Sequence, residues 1–211
     1  MKIGILIRGI SYGRGTSGKD FRTCIYNYMK HVYEPLSENH EVSVYICTYT
    51  HHLIDEVREI YKPKKMELID FEGSNQVTTF RKSLDILKGE DLDFVISTRF
   101  DLFFNDKITD INIDYTKSNF TFRLDPSEAR WIDYEFISDL AFYFPYNHLN
   151  AMISATDDLI KFPPRVWPDL HGIYKFLKKY LPEDQIQFIT PNIWRQQGDE
   201  YPVYQLIRAN I

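Results

Sequence analysis

The sequence of 211 residues has little cysteine, no long apolar run and no excess of basic residues. Its two cysteines, Cys24 and Cys47, fit neither a C-x-x-C pattern nor a zinc-ligand spacing, so we interpret them as buried free thiols of a reducing compartment. No stretch of about eighteen apolar residues is available to cross a membrane. The apolar run at the N-terminus is too short for a signal peptide and lacks a small-residue cleavage site. A cytoplasmic location is expected.

The charge and composition exclude further classes. A formal charge of −5, with scattered Lys and Arg, argues against a general nucleic-acid binder, which would present a basic face. Hydrophobic residues make up 44% of the chain, enough for a large core and unlike a disordered protein. The length fits one domain, although the sequence could be a piece cut from a longer chain.

Apolar runs alternate with segments of helical periodicity. Strands are predicted at 2–8, 41–48, 66–71, 93–98, 120–124, 140–144 and 186–190, and helices at 20–36, 53–61, 74–87, 147–159 and 169–181. Ser74 is the predicted N-cap of the helix at 74–87. This order predicts a single-domain α/β fold with a mostly parallel central sheet.

Polar residues follow three of the predicted strands directly. They are Arg8 and Gly9 with a glycine-rich loop up to Gly18, then Thr48 and Tyr49, and finally Arg99-Phe100-Asp101. In open α/β sheets, ligands bind beyond the carboxyl ends of the strands. If these strands are neighbours, the three clusters face one crevice.

Asp101 is the sharpest single candidate. A carboxylate at the end of a buried strand suits Mg²⁺ or Mn²⁺, and such a metal would stabilise a departing diphosphate. The alternative is a strand-end salt bridge with Arg99. The segment Asp91-Leu92-Asp93 matches D-x-D literally but precedes its strand, so we interpret it as a solvated turn.

The glycine loop is neither a Walker A nor a clean G-x-G-x-x-G. It is either a surface turn or a nucleotide-contacting loop, in which Arg14 and Lys19 could reach phosphates.

Segments 5–9, 44–49 and 94–102, with Asn75 and Arg81 between them, resemble the GT-A class of glycosyltransferases. More narrowly, residues 1 to about 145 resemble small sugar transferases of large algal DNA viruses and bacterial polysaccharide transferases with an Arg-x-Asp motif. A viral origin would place the protein in the host cytoplasm. Arg99 stands where that class has the first acid of its D-x-D motif.

The resemblance implies a GT-A-like sandwich with a nucleotide-binding half at 1–101 and an acceptor-binding half at 102–211. It implies Mn²⁺ or Mg²⁺ on Asp101 and His171; the alternative, which the sequence alone favours, is that His171 is an ordinary residue at a helix start. Asp139 would activate an acceptor hydroxyl or stabilise positive charge at the anomeric carbon; its alternative role is a strand-start cap. The residues expected to bind the nucleotide sugar are Gly9, Ser11, Tyr12, Arg14, Thr48, Tyr49, Asn75, Arg81 and Arg99.

The implied reaction moves a hexose from a UDP-sugar to a glycan or glycoprotein acceptor, and we favour retention of anomeric configuration. Two alternatives stay open. One is a non-catalytic nucleotide- or carbohydrate-binding module, which Arg99 favours; the other is a different metal-dependent nucleotide enzyme such as a nucleotidyltransferase.

Overall fold

A computed structural model describes residues 1–13, 19–124, 135–161, 170–191, 193–194 and 203–207. Its strands are β1 (Lys2–Gly9), β2 (Tyr12–Gly13), β3 (Lys19–Asp20), β4 (Glu41–Tyr49), β5 (Lys65–Ile69), β6 (Phe94–Arg99), β7 (Leu102–Phe104), β8 (Ser118–Phe120), β9 (Arg123–Leu124), β10 (Phe142–Pro145), β11 (Ile186–Phe188), β12 (Ile193–Trp194) and β13 (Tyr204–Leu206). Its α-helices are α1 (Ile25–Tyr28), α2 (Glu34–Ser37), α3 (Ile54–Tyr61), α4 (Gln76–Asp85), α5 (Leu149–Lys161) and α6 (Ile173–Leu177).

Seven strands form the central sheet in the order β11-β8-β10-β6-β1-β4-β5. Strands β5, β4, β1 and β6 are parallel, and the central strands β1 and β6 are buried on both faces, as expected for apolar runs in a parallel sheet. Strand β10 pairs antiparallel with both β6 and β8, and β11 is parallel to β8, so β10 alone opposes the other six. Residues before and after position 101 therefore build one sheet.

Helices cover both faces of this sheet. Val32, in the helical turn between α1 and α2, and Val57 of α3 pack with Ile5 and Ile7 of β1 on one face. On the other face, helices α4, α5 and α6 pack against alternate strand residues such as Leu6 and Val95. The alternation follows from the two-residue side-chain repeat of a strand. The predicted single-domain α/β fold with a mostly parallel sheet is confirmed.

Several boundaries differ from the predictions. The N-cap of α4 is Asn75 rather than Ser74: its side chain accepts from Thr78 N–H at 2.9 Å, while the Thr78 hydroxyl accepts from Asn75 N–H at 2.9 Å. The helix predicted at 20–36 consists of the 3₁₀ turn Phe21–Thr23, then α1, a π-helical turn at Met29–Tyr33, and α2. The strand predicted at 120–124 is divided into β8 and β9.

Five of the short strands, β2, β3, β7, β12 and β13, were not predicted. Each has only two or three residues, too few to show a hydrophobic period. Within the described ranges, no helix has the length and apolar character needed to cross a bilayer.

Candidate functional site

The carboxyl ends of β4, β1 and β6 lie side by side. Gly9 is in register with Thr48, and Arg8 is in register with Arg99. Gly9 has φ +98°, a conformation that glycine adopts without strain, and it turns the chain out of the sheet there. The three polar clusters predicted at strand ends therefore share one edge of the sheet.

At that edge, Asp101 accepts hydrogen bonds from two basic side chains. Arg99 donates two hydrogen bonds to Asp101, from Nε to Oδ1 at 2.9 Å and from Nη2 to Oδ2 at 2.8 Å. Lys19 reaches across from β3, and its ammonium also binds Oδ2. Asp101 is only 5% exposed, so this is a built, buried cluster rather than a surface pair.

The cluster fixes the ionisation of its members. Burial alone would raise the pKa of Asp101, but Arg99 and Lys19 outweigh it and hold the pKa well below the usual carboxyl range. Burial likewise opposes charge on Arg99, yet Asp101 and Asp139 raise its pKa further. At neutral pH the acid is ionised and the guanidinium is charged.

Arg8 lies beside this pair, fully buried. Its Nη2 donates to the main-chain oxygen of Asp139, and its Nε donates to Ser97 Oγ at 3.3 Å. The guanidinium carbon stands 4.9 Å from the centre of the Phe80 ring and 5.4 Å from that of Phe142. Burial lowers its pKa to about 10, with Asp139 opposing the shift, so it remains charged at neutral pH.

The Asp139 carboxylate is held from two sides. Gln76, the first residue of α4, donates from its amide to Oδ2. His171 Nε2 lies 3.7 Å from Oδ1, and its Nδ1 lies 2.6 Å from the carbonyl of Ile137. A carbonyl can only accept, so Nδ1 carries the proton. Asp139 is 3% exposed, so these two contacts surround a buried carboxylate.

A cleft of about 320 Å³ opens at the same edge, beyond β1, β4 and β5. Its walls are mostly aromatic or imidazole rings, and its lining residues are Ile10, Tyr12, Gly13, Tyr49, Thr50, His51, His52 and Phe71. The Tyr49 and Phe71 rings lie 5.0 Å apart, and Tyr12 meets His52 edge-on at 5.1 Å. Flat rings of this kind suit a nucleobase, because every base has a π-face that can stack on an aromatic ring.

A hydrogen-bonded chain stabilises the floor of this cleft. Because Leu53 N–H donates to His51 Nδ1 at 3.1 Å, the neutral ring carries its proton on Nε2, which donates to Ser11 Oγ at 2.7 Å. Ser11 is 2.7 Å from Thr48 Oγ1, and Thr48 donates to the Gly9 carbonyl at 2.8 Å. Burial lowers the pKa of His51, which favours the neutral ring.

The cleft and the charge cluster are joined by the β2–β3 hairpin. Gly13, which lines the cleft, is in register with Lys19, whose ammonium binds Asp101. The hairpin therefore connects a residue of the cleft lining to the cluster around Asp101.

The donor set at Asp101 does not fit the predicted Mn²⁺ or Mg²⁺. Both carboxylate oxygens already accept hydrogen bonds from the cationic groups of Arg99 and Lys19. A divalent cation would have to displace these groups or lie close to their positive charges. The acid beside His171 is Asp139, at 3.7 Å. Among the described residues no three His, Cys, Asp or Glu side chains gather into a metal-binding group.

The predicted site residues are distributed unevenly. Gly9, Ser11, Tyr12, Thr48, Tyr49 and Arg99 meet at the sheet edge, and Asp101, Asp139 and His171 lie in the adjoining charged region. Asn75 serves as the cap of α4. Arg14 lies outside the described residues.

Arg81 has a different setting. Its Nε donates to Asp157 of α5 at 2.7 Å, and its Nη1 lies 2.7 Å from Asp85. These two carboxylates hold its guanidinium between α4 and α5, so the structure does not bring Arg81 into the cluster around Asp101.

Sequence reasoning missed four residues of the site: His51, His52, Phe71 and Gln76. Three of them follow the strands β4 and β5 within a few residues. The strand-end rule that selected Thr48 and Tyr49 would have reached His51 and His52 had it been extended past the end of the strand. Nothing in the sequence indicates that Gln76 touches Asp139, because the two are 63 positions apart.

No family model and no curated protein sequence matches this chain. Among solved structures, the chain is similar to a nucleoside-diphosphate-sugar pyrophosphorylase from Vibrio cholerae RC9, with a TM-score of 0.54 and 14% identity over 92% of each chain. Identity this low establishes a likeness of fold. The two proteins thus share an α/β fold with a mostly parallel central sheet.

Proposed function

We propose that this protein is an enzyme acting on a nucleoside-diphosphate sugar. Within that class, we propose a glycosyltransferase that moves a hexose from a UDP-sugar to a glycan or glycoprotein acceptor. The observation that carries the proposal is the aromatic cleft joined, through the β2–β3 hairpin, to the cations Lys19 and Arg99 at the carboxyl edge of the sheet. The aromatic cleft offers rings on which a base can stack, and the two cations offer hydrogen-bond donors to a diphosphate.

The proposed roles follow the order of a nucleotide sugar. The base enters between Tyr12 and the Tyr49–Phe71 pair, the diphosphate lies against Lys19 and Arg99, and the sugar points toward Asp139. Asn75, at the start of α4, and Arg14, outside the described residues, remain proposed contacts of the donor. Arg81 would need to leave Asp85 and Asp157 to join them.

The proposed reaction breaks the bond between the anomeric carbon and the diphosphate oxygen and forms one to an acceptor oxygen. UDP leaves with the electron pair of the broken bond, and the acceptor hydroxyl loses its proton. Asp139 would take that proton or stabilise positive charge at the anomeric carbon. The hydrogen bond from Gln76 holds the carboxylate of Asp139, and the hydrogen bond from Arg8 holds its main-chain oxygen. Retention of configuration remains our preference.

A second candidate is a nucleotidyltransferase, favoured by the likeness of fold to the pyrophosphorylase. The two reactions cut different bonds of the same substrate. A glycosyltransferase releases UDP, whereas pyrophosphorolysis cuts between the phosphorus atoms and gives UTP and a sugar 1-phosphate.

The test is product analysis on a panel of UDP-hexoses, with a glycan acceptor panel in one arm and pyrophosphate in the other. Both arms are run with Mn²⁺ and with EDTA. We expect UDP release with sugar transfer or hydrolysis, reduced at least about tenfold in Asp139→Asn. UTP formed only with pyrophosphate would establish the nucleotidyltransferase instead. Binding of UDP without either product would establish the non-catalytic module.

A further inference from the structure

We infer that Lys19 and Arg99 bind the donor diphosphate directly, in place of a divalent metal, and that Asp101 is the internal anion they release to do so. The inference rests on the proposed function, since it specifies how a nucleoside diphosphate is held at that site. It reverses the role expected for Asp101 from the sequence: the carboxylate competes with the phosphates instead of attracting them through a metal.

The charges around Asp101 argue against a metal ion at this carboxylate. A metal-binding carboxylate needs oxygen lone pairs directed at an empty cation position. Here Asp101 Oδ1 faces Arg99 Nε at 2.9 Å, and Oδ2 faces both Arg99 Nη2 at 2.8 Å and the Lys19 ammonium. The cationic position beside this carboxylate is already filled by the protein.

The geometry of the Arg99 guanidinium suits a phosphate ligand. A guanidinium has five N–H donors in a planar fork, which matches phosphate as well as carboxylate. Asp101 uses the edge formed by Nε and Nη2, and within the described part of the chain Nη1 makes no hydrogen bond. The Arg99 side chain is 19% exposed, compared with 5% for Asp101, so it presents a remaining edge to a ligand.

The position of Lys19 also suits a phosphate ligand. Lys19 follows the glycine-rich loop in the sequence and is in register with Gly13 at the cleft. Its single ammonium can turn from a carboxylate oxygen to a phosphate oxygen without a change in the hairpin, because a lysine head group is a point charge on a flexible stem. Carboxylate and phosphate are both oxyanions that accept charge-assisted hydrogen bonds.

The experiment is calorimetric titration of the whole protein with UDP, once in EDTA and once in Mn²⁺. We expect dissociation constants that agree within about twofold, since the protein's own cations bind the diphosphate. Lys19→Met and Arg99→Met should each weaken UDP binding about tenfold or more. Lys2→Met removes an equal charge at the opposite edge of the sheet and should change nothing.

Asp101→Asn gives the opposite sign for the two roles. A competing anion predicts UDP binding that is as tight as in the wild type or tighter, while a metal ligand predicts its loss. Asp91→Asn is the matched control, and thermal unfolding checks that the variant is folded. Should Asp101→Asn fail to fold, the wild-type comparison in EDTA and Mn²⁺ and the Lys19→Met variant still decide.

The outcomes separate the inference from the function. UDP binding that requires Mn²⁺ and disappears in a folded Asp101→Asn variant would overturn the inference while leaving a nucleoside-diphosphate site in place. Absence of UDP binding under both conditions would overturn both.

Discussion

A lysine–aspartate ion pair lies at each end of the parallel strands, and in each pair the aspartate belongs to a short motif, 91–93 or 99–101. Only the pair at the carboxyl edge is part of a buried charge cluster. At the amino edge, Lys2 binds Asp91, and their side chains are 43% and 87% exposed. At the carboxyl edge, Lys19 binds Asp101, and the exposures are 8% and 5%. The literal D-x-D at 91–93 lies at the exposed edge, and the imperfect Arg99-Phe100-Asp101 lies at the buried one.

The difference teaches what makes a carboxylate informative. Asp93 accepts from Lys2 N–H at 2.7 Å and so only ties the start of β1 to the start of β6. An exposed ion pair contributes about 0–1 kcal/mol, because water screens it. Burial of Asp101 is tolerated only because cations surround it. Buried, paired charges of this kind are concentrated at functional sites. Position relative to the sheet therefore outweighs agreement with a motif.

The largest effect on stability is expected from Arg8 at the carboxyl edge. Arg8→Met should lower the free energy of unfolding by about 3 kcal/mol, because it leaves the Asp139 carbonyl and Ser97 without their buried donor. Lys2→Met should change it by no more than about 0.5 kcal/mol. Urea denaturation measures both, and equal losses at the two edges would contradict the comparison.

Acid should distinguish the two edges next. The pKa of Asp101 is depressed in the folded protein, so its contribution to stability is complete above the unfolded pKa of about 3.9 and is lost as the pH falls from there toward the folded pKa. Asp101→Asn should cost about 2 kcal/mol at pH 7 and progressively less below pH of about 4. The measurement is unfolding free energy against pH.

Asp91→Asn serves as the control for that titration. Its free energy of unfolding at pH 7 should equal that of the wild type within about 0.5 kcal/mol, since Asp91 is largely exposed. A wild-type curve parallel to that of Asp101→Asn down to pH of about 2 would refute the buried ionised state of Asp101.

A smaller effect, on binding rather than stability, is expected at the cleft. Phe71 is 62% exposed although it packs against Tyr49. Phe71→Ala should raise the dissociation constant of UDP about tenfold, which corresponds to the loss of one base–ring stack, and leave unfolding unchanged. Phe103→Ala, a 38% exposed ring on β7 outside the cleft lining, should leave UDP binding as it is. Equal effects of the two variants would argue against a base in the cleft.

The smallest effect is expected from His51. Because burial lowers its folded pKa, the neutral ring adds stability that is present above pH of about 6.5 and is lost as the pH falls through the folded pKa. His51→Ala should cost about 1 kcal/mol at pH 8 by breaking the bonds to Ser11 and Leu53. Below the folded pKa the variant and the wild type should converge in thermal unfolding; a constant gap would assign the loss to packing alone.

The framework of the fold was predictable from the sequence, and its finer pairing was not. The apolar runs at β1, β4 and β6 indicate strands that are buried on both faces, and the shared edge of Arg8, Thr48 and Arg99 was expected on the condition that these strands are neighbours, which they are. Strand β10, which opposes its neighbours, has the same local sequence character as a parallel strand. Direction depends on the path of the chain between strands, which periodicity does not encode.

The candidate site shows the same division. Asp101 and Asp139, which the sequence analysis singled out as a metal ligand and an acceptor-side carboxylate, are both buried, but their partners come from distant positions: Lys19 is 82 positions from Asp101, and Gln76 is 63 from Asp139. Whether a carboxylate meets a metal, a lysine or an amide is decided by tertiary packing. The salt-bridge alternative for Arg99 and Asp101 was visible in the sequence, and Lys19 as its third member was not.

The most direct test of the central claim is the mapping of amide chemical shifts in ¹⁵N-labelled protein during titration with UDP. A nucleoside-diphosphate site at the carboxyl edge predicts saturable shifts at Gly9, Gly13 and Thr50, with the amides of Lys2 and Asp93 unmoved. Shifts confined to the amino edge, or no shifts at millimolar UDP with and without Mn²⁺, would contradict it.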